Sequence, residues 1–318
     1  MTGPDVVVVG GCGIGLSFTI PRAIHQGETL IATGLSYVTG GKAANQAVGL
    51  GTLGMRAYLL SAIGDDAFGR EVRSRWEARG VLSDAVDVVP DEPTMVGALQ
   101  VTDAGENNIV LYPGALARLT ADRVRHHSAL IAQSDCVIVS LEIPTDAART
   151  ALALARDHGV LTILNPSPAP TRRDWLELAP HVDLVVVNAM EAAHISEAEH
   201  PDQQVSTLLA DGAREVIMTL GPDGARRVSS DEDRVVPGVP VEARDTSGAG
   251  DGFLSAYAAA RVSGLDEHAC LTFAAEAAAE IVQGTGFVEA LDRWDDAGLA
   301  ARLRVAAVRP SVPSIPSP

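Results

Sequence analysis

The strongest chemical signal lies at residues 245–252, which read Asp-Thr-Ser-Gly-Ala-Gly-Asp-Gly and lead into an amphipathic run. We expect a helix to begin at or near Gly250, where its first N–H groups lack partners and carry the positive end of the helix dipole. Small residues at 248–250 let an anion approach those groups. Asp251 is suited to accept a proton from an attacking hydroxyl beside that anion. The alternative is a glycine turn in which Asp251 caps the helix.

A second glycine-rich segment, residues 40–46, reads Gly-Gly-Lys-Ala-Ala-Asn-Gln and also opens a predicted helix. Paired glycines such as Gly41 allow the backbone to approach a ligand closely. Lys42 and Asn45 place hydrogen-bond donors near one face of the first helical turn, which suits the hydroxyls of a polyol. The alternative is a strand-to-helix turn with an exposed lysine.

Other polar residues follow predicted strands. Asn188 and Glu191 come after the run at 184–187, and ligands bind beyond the carboxyl ends of strands in open parallel sheets. Glu191 is suited to hold Mg²⁺ through water, whereas the alternative for this pair is an Asn turn with a glutamate at a helix start. Glu142 and the runs at 165–168 and 219–224 also follow strands.

Short β-branched runs alternate with longer alanine-rich stretches of helical period, which is typical of βαβ units around a parallel sheet. The predicted strands are residues 5–10, 57–61, 136–140, 161–164, 184–187 and 216–220. The predicted helices are residues 43–53, 67–79, 146–158, 204–212, 252–262 and 267–283. Two turn-rich stretches, 18–40 and 94–117, break this rhythm. We expect them to pair into a small antiparallel sheet beside the main domain.

Composition excludes several classes of protein. The 318 residues include 41 acidic and 24 basic side chains, a net charge of −17, which argues against a nucleic-acid partner or an anionic membrane surface. Cys12, Cys136 and Cys270 are too few and too far apart for a disulfide framework or a zinc pair. No signal region or run of ~18 apolar residues is evident. We therefore predict a soluble, cytoplasmic protein.

In this order, the segments resemble the ribokinase-like, or pfkB, family of carbohydrate and nucleoside kinases, from Val6 to about Val288. Residues 40–45 are similar to the family's N-terminal glycine signature, and residues 245–251 to its C-terminal signature. The segments most similar to the ribokinase branch are residues 27–29, 64–69, 105–107 and 165–168.

The resemblance implies an α/β fold, in which a three-layer α/β/α domain with a mainly parallel central sheet carries a small antiparallel β lid. We expect one kinase domain over residues 1–308, with lid segments at about 16–40 and 92–118. The Pro- and Ser-rich tail at 309–318 is expected to be mobile.

The resemblance also implies roles for individual residues. Asp251 matches the catalytic base. The amides that match the anion hole for the transferred phosphoryl group belong to Gly248, Ala249 and Gly250. The positions that match sugar contacts, besides Asp251, are Gly41, Lys42, Asn45 and Glu142.

The nucleotide side is implied in the same way. Asn188 and Glu191 match the family's Asn-x-x-Glu motif near Mg²⁺ and phosphate. The residues that match the nucleotide-binding loop are Thr219, Gly221 and Gly224. Asp245 and Ser247 match part of a monovalent-cation site, which makes K⁺ a candidate cofactor beside ATP and Mg²⁺.

One departure concerns the phosphate acceptor. After the first strand the family commonly has Asn-x-Asp, whose Asp grips two sugar hydroxyls, whereas Gly13 and Gly15 stand here. Losing such a charged hydrogen bond lowers affinity by about 1 kcal/mol or more. Leu116 likewise replaces a residue that is often polar in the ribokinase branch. The departure weakens the case for ribose and favours a substrate that is bulkier there or carries a carboxylate or phosphate.

The run Gly-Cys-Gly-Ile-Gly at residues 11–15 suggests a different class, a dinucleotide-binding dehydrogenase. Its spacing is GxGxG rather than GxGxxG, Pro21 interrupts the helix that should follow, and no acidic residue closes a second strand at the proper distance. Cys12 is interpreted as a packing residue, because no histidine is adjacent to it in sequence.

The sequence thus predicts an ATP-dependent kinase that transfers the γ-phosphoryl group to a hydroxyl, expected to be primary, of a small sugar-like molecule. Closure of the lid would exclude water, and the resemblance implies a homodimer formed through the lid. Two alternatives stay open. One is a kinase for a nucleoside, a sugar acid or a sugar phosphate, and the other is a non-catalytic sugar-sensing protein on the same fold.

Overall fold

The structure is a computed structural model that describes residues 3–102, 104 and 107–308. Its strands, in chain order, are β1 (Asp5–Val9), β2 (Gly13–Ile20), β3 (Gly34–Gly40), β4 (Arg56–Gly64), β5 (Val81–Leu82), β6 (Val86–Val89), β7 (Met95–Thr102), β8 (Asn107–Tyr112), β9 (Cys136–Ser140), β10 (Leu161–Asn165), β11 (Leu184–Asn188), β12 (Glu215–Thr219), β13 (Ala225–Ser229) and β14 (Asp233–Val236).

The helices, in chain order, are α1 (Lys42–Thr52), α2 (Ala67–Ala78), α3 (Ala121–His126), α4 (Ser128–Gln133), α5 (Thr145–Asp157), α6 (Arg172–Leu178), α7 (Ala189–Ser196), α8 (Pro201–Ala210), α9 (Ala249–Val262), α10 (Glu267–Val282), α11 (Phe287–Ala290), α12 (Asp292–Asp296) and α13 (Leu299–Val308). Helices α1, α9 and α10 pack together in one layer, and α3 and α5–α8 form a second contiguous set.

The central sheet has the strand order β14-β13-β12-β11-β10-β9-β1-β4-β5, and β6 pairs with β4. Strands β12, β11, β10, β9, β1 and β4 are parallel, whereas β13 and β14 add antiparallel pairs at one edge. The middle strands are runs of buried Val, Ile and Leu, as expected for a sheet covered by helices on both faces. The predicted three-layer α/β/α architecture is confirmed.

The second sheet has four strands in the order β3-β2-β7-β8. Strands β2 and β3 form one antiparallel pair and β7 and β8 form another, as the turn-rich stretches predict. The two pairs join through β2 and β7, which run parallel from Gly13↔Met95 to Ile20↔Thr102. The small sheet is therefore confirmed, with a parallel contact at its centre.

The predicted central strands and long helices are all present, with ends that shift by up to three residues. Helix α9 begins at Ala249, one residue before the expected start at Gly250. Elements that the sequence did not indicate include the edge strands β13 and β14 and the C-terminal helices α11–α13. Apart from the backbone of Asn107, the predicted motif at 105–107 and the tail at 309–318 lie outside the described residues.

Among the described helices, none is both long and apolar enough to cross a bilayer. The cytoplasmic location stays a prediction.

Candidate active site

Polar residues gather at the carboxyl edge of the central sheet. Strand β9 ends at Ser140, two residues before Glu142, while β10 ends at Asn165, β11 at Asn188 and β12 at Thr219. Register places Asn165 opposite Ser140 and Asn188 opposite Thr219, so these side chains come from neighbouring strand ends. Ligands of open α/β sheets bind at this edge.

The N-terminus of α9 is open. Gly248 is its N-cap at φ 77° and no side chain caps the helix. The N–H groups of Gly248, Gly250 and Asp251 have no acceptor among the described residues, whereas Ala249 N donates to Thr246 O at 3.2 Å. A Cβ atom at Gly250 would meet nothing within 4 Å, so this end faces free space. Free N–H groups and the helix dipole make it an anion site.

Asp251 lies in the first turn of α9 and is buried, with 7% of its surface exposed. Its Oδ2 accepts a hydrogen bond from Asn45 Nδ2 at 2.9 Å, and its Oδ1 accepts one from Gln46 Nε2 at 3.0 Å. Burial raises the pKa of Asp251, and the charge of Lys42 together with the two amides offsets part of that rise. The carboxylate does not cap α9, so the alternative of a simple helix cap is not what the structure shows.

The start of α1 brings Lys42 and Glu142 together. Lys42 N donates to Glu142 Oε2 at 2.7 Å. Burial raises the pKa of Glu142 to about 7, against the lowering effect of Lys42. For the Lys42 ammonium, burial lowers the pKa, but the carboxylates of Asp251, Glu142 and Glu191 outweigh it and the pKa is raised. The Lys42 ammonium is therefore within electrostatic reach of three carboxyl groups.

Gly41 has to be glycine. Its φ is 94°, and a Cβ atom there would lie 2.4 Å from Gly11 O and 2.5 Å from Cys12 Cα. A Cβ atom at Gly11 would in turn lie 2.2 Å from Glu142 Oε2. These close approaches set the path of the backbone that presents Lys42.

Gln46 and Asn165 are two polar residues of the site for which the sequence predicts no role, although both lie in the glycine-rich or strand-end segments described above. Gln46 is completely buried, and besides Asp251 its Nε2 contacts Asn165 Oδ1 at 3.3 Å. Asn165 Nδ2 donates to Val186 O at 3.2 Å. The available signal was a glutamine on the buried face of α1, because such a side chain needs partners.

Asn188 and Glu191 form the capping box of α7. Glu191 N donates to Asn188 Oδ1 at 2.8 Å, and Asn188 N donates to Glu191 Oε2 at 3.0 Å. The helix-start alternative is thus what the structure shows, and Glu191 Oε1 keeps no hydrogen-bond partner among the described residues. No group of three His, Cys, Asp or Glu residues in the described chain makes a metal cage. Glu191 Oε1 is a carboxylate oxygen, the kind of ligand that Mg²⁺ prefers.

A cavity of about 590 Å³ lies beside the α9 N-terminus. The predicted residues Thr219, Gly221 and Gly224 line it, as does Gly250. Its other walls were not predicted and include Val239, Val241, Phe253, Ala275, Ala278 and Val282. A mostly apolar slot of this size, with an anion site at one end, suits a nucleotide whose base is planar.

Asp245 and Ser247 lie just before α9. Asp245 Oδ1 accepts from Ser247 N at 2.9 Å and Oδ2 from Gly286 N at 3.0 Å. Burial raises the pKa of Asp245, but the hydrogen bonds from Gly286 and Ser247 outweigh it and leave that pKa lowered. The carboxylate therefore stays ionised and ties the segment before α9 to the start of α11.

Gly13 and Gly15 lie in β2, where neighbours fill the adjoining space. A Cβ atom at Gly13 would lie 2.3 Å from Met95 O, and one at Gly15 would lie 2.7 Å from Val38 Cγ2. Leu116 is completely buried. Side chains at Gly13 and Gly15 are thus excluded by the small sheet as it is packed.

Cys12 is a packing residue, as the sequence predicts. It is fully buried, its Sγ lies 3.0 Å from Ser61 Oγ, and burial raises its pKa to about 12. Residues 11–15 run into strand β2 rather than a helix, so no dinucleotide-binding turn forms there.

Comparison with known proteins agrees with this geometry. The family model described as pfkB family carbohydrate kinase matches residues 4–293. A ribokinase from Haemophilus influenzae is 32% identical over 286 residues, covering 88% of this chain and 93% of that protein. A ribokinase from Schizosaccharomyces pombe is 34% identical over 295 residues, covering 89% and 93%.

Among solved structures, an Arabidopsis thaliana ribokinase complexed with ribose and ATP has a TM-score of 0.84 and 27% identity, covering 94% of this chain and 99% of that one. The fold and the site thus define an enzyme of the phosphoryl-transferring α/β class. The chain belongs to the pfkB family and is a carbohydrate kinase.

Proposed function

We propose that this chain is an ATP-dependent kinase that transfers the γ-phosphoryl group to a hydroxyl, expected to be primary, of a neutral sugar, with Asp251 as the general base. The observation that carries the proposal is the buried Asp251 carboxylate, in the same helical turn as the free N–H groups at the start of α9. A proton acceptor beside an anion site is what attack of a hydroxyl on a phosphoryl group requires.

The oxygen of the acceptor hydroxyl attacks the γ-phosphorus, and the bond between this phosphorus and the departing ADP breaks. Asp251 accepts the proton that the hydroxyl loses. The N–H groups of Gly248 and Gly250 stabilise the charge on the transferred group. The backbone at Gly41 and the side chains of Lys42, Asn45 and Glu142 supply donors and acceptors that hold the sugar hydroxyls.

The cavity beside Thr219 and Gly224 is proposed to hold the nucleotide. Magnesium would be held through water by Glu191 near Asn188, where it would neutralise charge on the phosphates. Asp245 and Ser247 are proposed to form part of a K⁺ site. Replacing K⁺ by choline in the assay tests that site: we expect kcat/KM to fall, and an unchanged value would contradict it.

The charged residues around the site favour a neutral acceptor over a sugar acid or a sugar phosphate. The four strands of the small sheet contain no Asp, Glu, Lys, Arg or His. In the loop between β2 and β3, Arg22 is paired with Glu28 at 2.8 Å. The charge of Lys42 already interacts with the carboxyl groups of Asp251, Glu142 and Glu191. An anionic acceptor would therefore be repelled by these carboxylates, whereas an uncharged sugar would not.

We further propose that residues 1–308 form one kinase domain in which the small sheet is the lid, and that two copies associate through it. One face of the sheet exposes apolar side chains at alternating positions, namely Leu35, Tyr37, Val110 and Tyr112. Exposed apolar patches of this kind mark interaction surfaces. Light scattering tests the dimer, and a monomer at micromolar concentration would contradict it.

Asp251→Asn tests the proposed chemistry. The variant keeps the volume and the hydrogen bond to Asn45 or Gln46 but cannot accept the proton, so we expect kcat to fall about 100-fold to 10,000-fold. Acceptor binding, measured by calorimetry, should persist. The matched control is Asp266→Asn at the N-cap of α10, where asparagine also accepts from Ala269 N, a 2.9 Å contact.

Near-normal kcat in Asp251→Asn would contradict the assignment of the base. Tight sugar binding by the wild type without any turnover of ATP would instead favour a sensor on this fold.

A further inference from the structure

Gln46 connects Asp251 to the backbone of the central sheet. Its Nε2 donates to Asp251 Oδ1 at 3.0 Å and contacts Asn165 Oδ1 at 3.3 Å. Asn165 Nδ2 continues the path to Val186 O, 3.2 Å away in β11. Two side-chain amides thus link the carboxylate on α9 to the backbone of β11 in the central sheet.

The orientation of each amide follows from its partners. An ionised carboxylate only accepts, so Gln46 must present its NH₂ group to Asp251. The carbonyl of Val186 likewise requires the NH₂ group of Asn165, which leaves Asn165 Oδ1 facing Gln46.

This arrangement has a cost for folding. Gln46 Oε1 is buried and has no hydrogen-bond partner among the described residues. Leaving a buried carbonyl without a partner is unfavourable, and an apolar side chain of similar shape would avoid it. Gln46 is therefore better explained by what it does for Asp251 than by its contribution to the core.

We propose that Gln46 and Asn165 are positioning residues that hold the Asp251 carboxylate ionised and in one orientation for proton transfer. The proposal rests on the proposed function. Because Asn45 bonds Oδ2 at 2.9 Å and Gln46 bonds Oδ1, donors fix both oxygens of the carboxylate. Gln46 acts through Asp251 and makes no contact with substrate in this account.

The charged groups around Asp251 define its titration. Lys42 on α1 favours the ionised form, and Glu142 after β9 opposes it, while Glu191 on α7 acts on Lys42. The Gln46 amide also favours the ionised form, so its removal raises the pKa of Asp251. Burial also raises the pKa of Glu142, to about 7, so the titration of Glu142 must be separated from that of Asp251.

The test is Gln46→Met, which keeps the shape of the side chain and removes its hydrogen bonds. We expect kcat to fall about 10-fold to 100-fold while the acceptor KM changes less than about threefold. The acid limb of the kcat profile should move to higher pH. Asn165→Leu should lower kcat and move the acid limb of the kcat profile to higher pH, each by less than Gln46→Met does. If Gln46→Met does not fold, Asn165→Leu is the variant used for the test.

Gln204→Met is the matched control. Gln204 on α8 is also buried, its Nε2 donates to Ala198 O and Glu199 O, and its Oε1 also has no hydrogen-bond partner among the described residues. It lies away from the site, so its kcat and pH profile should match the wild type. Glu142 also titrates, so the acid limb of the kcat profile is measured again for Gln46→Met in a Glu142→Gln background, where residue 142 cannot ionise.

Two results would overturn the positioning role alone. One is a kcat for Gln46→Met equal to that of Gln204→Met, and the other is a lower kcat with an unmoved acid limb. Absence of any turnover in the wild type would overturn the proposed function and the positioning role with it.

Discussion

The floor of the site and the small sheet differ most in how they carry charge. The floor consists of Lys42, Glu142, Asp251, Gln46 and Asn165, which are linked by hydrogen bonds and by unlike charges. The strands of the small sheet contain no charged residue and leave apolar side chains exposed. The floor is built from α1, α9 and the central strands, whereas the small sheet consists of two hairpins joined by one parallel contact.

Under the proposed function, this difference separates chemistry from coverage. Charges held in fixed positions with restricted solvent stabilise a phosphoryl transfer, so we expect the reacting groups on the main domain. A sheet without charges covers an acceptor and excludes water without competing for its hydroxyls. Changes to the floor should therefore alter catalysis and stability, and changes to the outer face of the small sheet should alter association.

Gly248→Ala, at the N-cap of the helix that carries Asp251 of the floor, is expected to have the largest effect on stability. The alanine would hold φ near 77°, and its Cβ would lie 2.7 Å from Phe287 Cδ2. We expect the free energy of unfolding to fall by about 2–4 kcal/mol, and kcat to fall about tenfold or more, because the N-terminus of α9 shifts. Denaturant unfolding and steady-state kinetics measure both.

Gly264→Ala is the matched control, since Gly264 follows the same helix at φ 82° and a Cβ there meets nothing within 4 Å. Its loss should be about 1 kcal/mol, with kcat unchanged. Equal losses in the two variants would show that the contact with Phe287 does not matter.

Glu142→Gln tests the electrostatics of the floor, and its expected effect is smaller than that of Gly248→Ala. The pKa of Glu142 rises from 4.5 to about 7 on folding, so the folded state holds the proton more tightly than the unfolded state. The resulting stability is fully present below pH 4.5 and is lost as the pH rises through 7. Glutamine cannot ionise, so the variant should gain about 2–3 kcal/mol relative to the wild type between these limits.

The measurement is the difference in unfolding free energy between Glu142→Gln and the wild type, because contributions from other groups cancel in that difference. A difference that stays constant from pH 4.5 to 7 would contradict the raised pKa.

The double variant Tyr37→Lys, Tyr112→Lys tests the small sheet. Of the variants proposed for the floor and the small sheet, it should change kcat least. Both tyrosines are exposed on the same face of the small sheet. We expect the added charges to shift a dimer toward monomer, while kcat stays within about twofold of the wild type. Sedimentation and kinetics measure the two effects. A large loss of kcat in a folded monomer would show that the outer face takes part in the chemistry.

Much of the main domain was predictable because its signals are local. Runs such as Val6–Val9 specify buried parallel strands, and the glycines before α1 and α9 mark where these helices start. The parallel contact between β2 and β7 was not predictable, since it joins Gly13 to Met95 across more than eighty residues with no pattern that sets the direction. The amide path through Gln46 and Asn165 was not predictable either, because it depends on long-range packing of α1 against the sheet. The cavity walls at Val239 and Ala275 likewise depend on contacts between segments that are distant in sequence.

The most direct test of the central claim is release of ADP from Mg²⁺·ATP by the purified protein across paired acceptors. The panel sets neutral pentoses, hexoses and deoxy sugars against their sugar acids and phosphates, with nucleosides beside them and products identified by phosphorus NMR. We predict that a neutral sugar is phosphorylated with kcat/KM at least about tenfold above that of its anionic counterpart. Preference for an anionic acceptor or a nucleoside, or binding without turnover, would contradict the account.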